Sequence, residues 1–264
     1  ENNLAFGPGV SDMKSGLLMA YYLLKSLKEQ EMLSKLSICI LMNSDEEISS
    51  LGSTQWIKEH AKRSRFAFVL EPGRVDGSFV LKRKGTAKYE IFFKGIAAHA
   101  GGDPQNGRSA ITEMAHWIIA LDKLNDYDEG TTLNTGIASG GTAANVVAEN
   151  AYMKVDARFW SMKEAEKIDE IIMNMSQHPA IEGVEVSVHK FGFREPMNPN
   201  ENTWKLVELI ENVGKEEGVD IRFSASGGAS DGNEIAALGV PTIDGFGPIG
   251  TNHHRESEYL DISS

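Results

Sequence analysis

The chain has 264 residues, 41% hydrophobic and 24% charged, which suits one large or two ordinary domains at about 150 residues each. Its 38 acidic residues outweigh 26 basic ones for a net charge of −12, so the clustered cations that a nucleic-acid partner demands are missing; nor does any apolar run reach the roughly 18 residues of a membrane span. A single cysteine, Cys39, excludes an internal disulfide and a cysteine-rich metal site, leaving His, Asp and Glu as the only available metal ligands.

The opening residues Glu1-Asn2-Asn3 carry neither a basic n-region nor an apolar h-region and name no targeting route. The compartment is not readable from these residues; the lone cysteine is compatible with the cytoplasm, and a periplasmic or secreted location stays open. From Asp12 the apolar residues Leu17, Leu18, Tyr21, Tyr22, Leu24 and Leu27 recur at three and four, the spacing of a helix. The run Leu36–Met42 reads as a buried strand, a helix is expected from about Gly52 to Arg63, and Phe66–Leu70 reads as a second buried strand. A strand-helix-strand order with all-apolar strands predicts a parallel α/β sheet.

The middle of the chain differs. Lys88–Lys94 reads as a strand of mixed polarity, Ala110–Leu124 as an amphipathic helix, and Val146–Phe159 as an alternating strand. A helix near Glu164–Met175 and a strand at Val184–Val188 follow, and the order is read as the β-α-β-β-α-β of a ferredoxin-like unit, with one of its two middle strands not placed by the pattern. After Asn198 the α/β style resumes, with a helix near Thr203–Lys215 and strands near Ile221–Phe223 and Pro241–Ile243. The predicted organisation is an α/β catalytic domain made of 1–83 and 196–264, interrupted by an inserted ferredoxin-like α+β domain over 84–195.

Open parallel sheets bind ligands beyond the carboxyl ends of their strands. There this sequence repeatedly places charge: Asp45-Glu46-Glu47 after the first strand, Glu71 after the second, and His253-His254 after the last, with Asp12 opening a helix. Each has an ordinary reading when taken singly. Asp12 caps a helix, Glu46 and Glu47 sit in a solvated loop, Glu71 belongs to a turn and the histidine pair is exposed. Jointly they point to a cation, because carboxylates gathered at one sheet edge repel one another unless one sits between them. Oxygen ligands with an imidazole suit zinc, or manganese or cobalt in its place.

Seven motifs, in order along nearly the whole chain, carry a resemblance. These are Gly9–Gly16 around Asp12, Ser44–Glu47, Leu70–Gly73, Gly95–Gly101 around His99, Gly107–Ala110, Gly228–Asn233 around Asp231, and Gly247–Tyr259. The sequence resembles the dinuclear zinc exopeptidases and deacylases, the family of carboxypeptidase G, acetylornithine deacetylase and succinyl-diaminopimelate desuccinylase. The resemblance implies two zinc ions per subunit, bridged by Asp12, with Glu71 on one ion and Glu47 and a histidine on the other. Motif spacing favours His254 for that histidine, and His253 is the alternative. Glu46 resembles the general base, while His99 and Asn145 resemble residues of the inserted domain that stabilise the oxyanion in the partner subunit of a homodimer. Arg158 resembles the clamp for a substrate carboxylate, to which the Ser226–Gly228 turn, with Gly227 and Gly228, offers backbone N–H groups.

The family also has an earlier His-x-Asp pair, and here no His precedes residue 60. The chain therefore reads as a fragment of a longer enzyme, impaired or inactive by itself, with an exposed sheet edge. The implied activity is that of a zinc amidohydrolase. A carboxypeptidase removing a C-terminal residue, glutamate among the candidates, is the leading reading, and an N-acyl-amino-acid deacylase is the alternative. A rival of another class is a non-catalytic dimerisation module; the presence of Glu46 speaks against it, since a binder has no use for a base. The expected partners are a small peptide or N-acyl amino acid and a second copy of the chain, with neither nucleic acid nor membrane involved.

Overall fold

The structure, a computed structural model, describes residues 3–264. The chain divides into two compact units, one made of residues up to Arg83 together with Met197–Ser264, the other of Lys84–Pro196.

The first unit contains β1 (Leu4–Phe6), α1 (Ser15–Glu29), α2 (Thr54–Ala61), β2 (Ala67–Phe68) and β3 (Phe79–Arg83) before the division. After the second unit's β4 (Gly85–Lys94), α3 (Ala110–Asp122), β5 (Thr132–Gly140), β6 (Asn150–Phe159), α4 (Met162–Gln177) and β7 (Glu185–Arg194), it resumes. The resumed part holds α5 (Glu201–Glu217), β8 (Phe223–Ser226), α6 (Asp231–Ala236), β9 (Thr242–Ile243), β10 (Gly250–Thr251) and β11 (Tyr259–Asp261). Parallel pairs β2·β9 and β3·β8 join early chain to late chain, and β1, β11 and β10 form a small antiparallel sheet. The apolar residues Leu81, Leu206, Val207 and Ile243 pack with Phe79, Ile210, Phe223 and Phe246, and the Phe79 and Phe246 rings stack at 4.3 Å between centroids. Beyond β2, the amide of Gly247 donates to the Glu71 carbonyl at 2.8 Å, which runs the segment carrying Glu71 beside the glycine-rich turn after β9. Helix α1 comes so close to this segment that a Cβ on Gly16 would lie 2.3 Å from the Leu70 carbonyl oxygen, so only glycine fits there.

One predicted strand is absent. Leu36–Met42 belongs to no ladder among the described residues, and Leu36, Ile38, Cys39, Ile40 and Met42 are exposed. Its apolar composition matches a buried strand, but burial requires a neighbour on each face and a hydrogen-bonded partner at each edge, and the described chain supplies neither. The α1 residues Leu17, Leu18, Tyr21, Tyr22 and Leu23 are exposed as well.

In the second unit, strand order β5-β6-β4-β7 is antiparallel throughout, and with α3 and α4 it forms the β-α-β-β-α-β sequence. Alternation along β6 sends Ala151, Met153, Val155, Ala157 and Phe159 inward. These pack with Tyr89, Ile91 and Phe93 of β4, Trp117 and Leu121 of α3, and Ile168 and Ile172 of α4. The buried carboxylate of Glu113 is fully engaged, accepting from Trp117 Nε1 and from the amides of Ala180 and Ile181. β5 is a strand that composition conceals, since Thr-Leu-Asn-Thr-Gly-Ile-Ala-Ser-Gly has no β-rich apolar run and depends on its ladder with β6. Among the described residues no helix is long and apolar enough to cross a membrane.

Candidate active site

Asp12 sits at a break in the winding that precedes α1, with φ −109° and ψ 92° and a cis peptide bond to Met13. The turn is fixed from the far end of the chain. Glu258, 3% exposed, accepts from the amides of Gly9 at 2.7 Å, Ser11 at 2.9 Å and Asp12 at 2.9 Å. Burial opposes its charge, but the amides of Asp12, Gly9 and Ser11, with His253 nearby, hold the Glu258 carboxyl below the usual range. Sequence reading placed Glu258 in a motif without giving it a task; its spacing from the histidine pair was the only signal.

Asp12, Glu47 and His254 come together. One ligand atom from each lies within 4.8 Å of the others, with His254 Nε2 3.4 Å from Asp12 Oδ2 and His254 Nδ1 3.7 Å from Glu47 Oε2. The Asp12 side chain is 17% exposed, against 62% for Glu47 and 64% for His254, so the group opens to solvent on one side. His254 is held at φ 62°, whereas His253 is turned away and places its Nε2 3.2 Å from Ser11 Oγ. Thus of the two candidate histidines it is His254 that meets the carboxylates. Two carboxylates and an imidazole from three separate segments suit zinc, which takes oxygen and nitrogen ligands alike.

Glu71 follows β2 and lies partly buried. Burial, then the charges of Asp244, Asp12 and Glu46, push its carboxyl up to about 9, with Arg83 pulling the other way. At neutral pH a carboxyl so placed favours its protonated form, and a cation beside it would favour the charged one. Glu46 occupies a single turn, Glu46–Ile48, after Asp45 and is half-buried, while its neighbour Glu47 is exposed.

Beside this group runs a buried ion pair. Arg83 Nε donates to Asp244 Oδ2 at 2.6 Å, and Arg83 Nη1 donates to the Gly228 carbonyl at 3.0 Å. The Gly228 amide donates to Ser226 Oγ at 3.2 Å, so of the two N–H groups assigned to a substrate carboxylate, that of Gly228 already has an acceptor. Gly227 is exposed.

The other candidates belong to the second unit. His99 is exposed, and its Nδ1 accepts from the amides of Gly101 at 3.1 Å and Gly102 at 2.9 Å. Two donors on Nδ1 leave the proton of the neutral ring on Nε2, a donor available to an anion. Asn145 is adjacent, for the Ala100 amide donates to its carbonyl at 2.9 Å and His99 bridges Val146. Arg158, on the sheet face opposite the core, gives its Nε and Nη2 to Asp156 at 2.6 and 3.0 Å. Its fork therefore already holds one carboxylate in the geometry by which it would hold another.

Two carboxylates and an imidazole brought together from distant segments of an α/β unit are the kind of centre on which metal-dependent hydrolases are built. The chain belongs to peptidase family M20/M25/M40, whose family model matches residues 1–264. Among its relatives, carboxypeptidase G2 of a Pseudomonas species is 29% identical over 267 residues, spanning 100% of this chain and 64% of that protein. Succinyl-diaminopimelate desuccinylase of a Polaromonas species is 26% identical over 278 residues, again 100% of this chain and 64% of the relative. The chain thus spans just under two thirds of the length of both. A crystal structure of a tripeptidase from Staphylococcus aureus shares the fold, with a TM-score of 0.79 at 23% identity, covering 100% of this chain and 70% of that one.

Proposed function

We propose that the protein is a zinc-dependent amidohydrolase that cleaves the amide bond joining an acyl or peptidyl group to an amino acid with a free carboxylate. The observation that carries the reading is the convergence of Asp12, Glu47 and His254 from three distant segments. Asp12 would bridge two ions, with Glu47 and His254 completing one site and Glu71 contributing to the other. When bound, zinc supplies Lewis acidity toward the scissile carbonyl and lowers the pKa of an attacking water. Glu46, beside the proposed ligands but not one of them, takes the proton from that water and passes it to the leaving nitrogen. In a homodimer, Nε2–H of His99 and the amide of Asn145 donate to the developing oxyanion of the partner subunit's substrate. Arg158 exchanges Asp156 for the substrate carboxylate.

Removal of a C-terminal residue is the leading activity, supported by the likeness to carboxypeptidase G2. Deacylation of an N-acyl amino acid is the second, supported by the desuccinylase. A panel of dipeptides and N-acyl amino acids separates them. Glu46→Gln is expected to lower kcat on the order of 10²–10⁴-fold with zinc content unchanged. Glu47→Ala and His254→Ala are expected to lose zinc, read by elemental analysis after gel filtration. A fully active Glu46→Gln protein would overturn the assignment of the base, and failure of the full-length protein to hydrolyse any member of the panel would favour a binding module.

A further inference from the structure

Beyond Gly228, the Gly228–Asn233 motif has no part in the chemistry above, yet the structure gives its aspartate a specific contact. Asp231 begins α6 and lies far along the chain from the turn that carries Glu46 and Glu47. Ser50 Oγ, on the far side of that turn, donates to Asp231 Oδ1. On the near side, Asn43 Nδ2 donates to Asp231 Oδ2 at 2.8 Å. The same nitrogen lies 3.1–3.3 Å from Asp45 Oδ1, Ser50 Oγ and Ser53 Oγ. With only two N–H bonds to give, it serves the nearest acceptor, Asp231, best. One carboxylate thus grips both ends of the segment 43–50.

That segment needs holding. Ser49 and Ser50 have φ of 75° and 51°, a left-handed conformation that side-chain-bearing residues adopt only where the surroundings enforce it. Glu47 on this turn meets Asp12 and His254 in one cluster, so a shift of the turn would carry it away from them. The far side of the contact is anchored. Asn233 is completely buried and its Oδ1 accepts from the Ser230 amide at 3.0 Å. Glu234 pairs with Lys58 of α2 at 2.8 Å, and Ser230 Oγ donates to the buried Asp244 at 2.5 Å.

We infer that Asp231, through Ser50 and Asn43, is a positioning residue that fixes the Glu46–Glu47 turn on the α6 platform, so that base and ligand are held in register. The inference rests on the proposed roles of Glu46 and Glu47, while the anchoring itself does not.

The test uses the full chain and reads two quantities. In hydrogen exchange, Asp231→Ala should speed amide exchange in residues 46–52 at least tenfold and leave β4 and β6 of the second unit unchanged. In steady-state kinetics, kcat should fall about 10–100-fold, as for partners that orient metal ligands and bases, with KM within twofold, and Asp231→Asn should recover part of the loss. Asn43→Ala removes the grip on one side with less risk to folding, and the double variant should lose no more than the worse single one. Unchanged exchange in 46–52, or additive losses in the double variant, would overturn the anchoring. If exchange rises as expected but the full-length parent protein hydrolyses no amide, the anchoring stands and the proposed function falls.

Discussion

Glu258 shows how much one side chain governs here. Its two oxygens receive three backbone N–H groups of the turn that presents Asp12, and bonds from amides to a charged acceptor contribute about 1.5–3 kcal/mol each. The chain approaches this turn closely from the other side too, since a Cβ on Gly250 would lie 2.1 Å from Ser11 Oγ. Glu258→Gln keeps the size but loses an acceptor, and leaves a buried amide of the turn without its partner. We expect it to destabilise the first unit by about 1–3 kcal/mol and to weaken zinc binding although residue 258 is no ligand. Urea titration and a zinc-binding isotherm check the two effects separately; an unchanged midpoint in urea would show that the carboxylate is dispensable.

At the scale of elements, α4 shows a cap that titrates. Ser161 and Glu164 form a reciprocal capping box, and Glu164 also accepts from the hydroxyl of Thr131 and the amide of Trp160. Burial works against the charge, but the hydroxyls of Thr131 and Ser161 and the amides of Trp160 and Ser161 prevail and hold the Glu164 carboxyl below its ordinary value of 4.5. A carboxyl lowered on folding stabilises the native state above the unfolded pKa, and that stability is lost as pH falls through the folded value. Glu164→Ala should therefore cost about 0.5–2 kcal/mol at pH 7, and the gap from the parent protein should close in acid, below about pH 4. Thermal melts of both proteins from neutral to acid pH measure it; a gap independent of pH would mean that the box acts through shape alone.

Taken whole, the molecule divides its apolar residues unequally. The Lys84–Pro196 unit surrounds Trp117, Tyr89, Phe93 and Phe159 with α3, α4 and the four-stranded sheet. The other unit buries the smaller group of Leu81, Leu206, Val207 and Ile243 and leaves one face of α1 and the segment 36–42 exposed. Stability follows the apolar area removed from water, so unfolding should proceed in two steps, with the first unit melting earlier. Hydrogen exchange in rising urea should release amides of β2 and β9 before those of β4 and β6; one coincident transition for all four strands would contradict this.

What the sequence determined by itself was local. Helical spacing placed α3, α4 and α5 within a few residues of their ends, alternation read β6, and the side chains of the proposed centre lay in motifs readable without coordinates. Tertiary structure decided what depends on partners distant in sequence. Leu36–Met42 has the composition of a buried strand and is exposed, because composition does not supply a neighbouring strand. Thr132–Gly140 has little strand character and is a strand, because β6 lies beside it. Motif spacing prefers His254 and leaves His253 open; only the fold shows His254 lying against Asp12 and Glu47 and His253 against Ser11. Glu258 and Asp231 act across 247 and 181 residues, and contacts of that reach arise only when folding brings the two segments side by side, which no local pattern encodes.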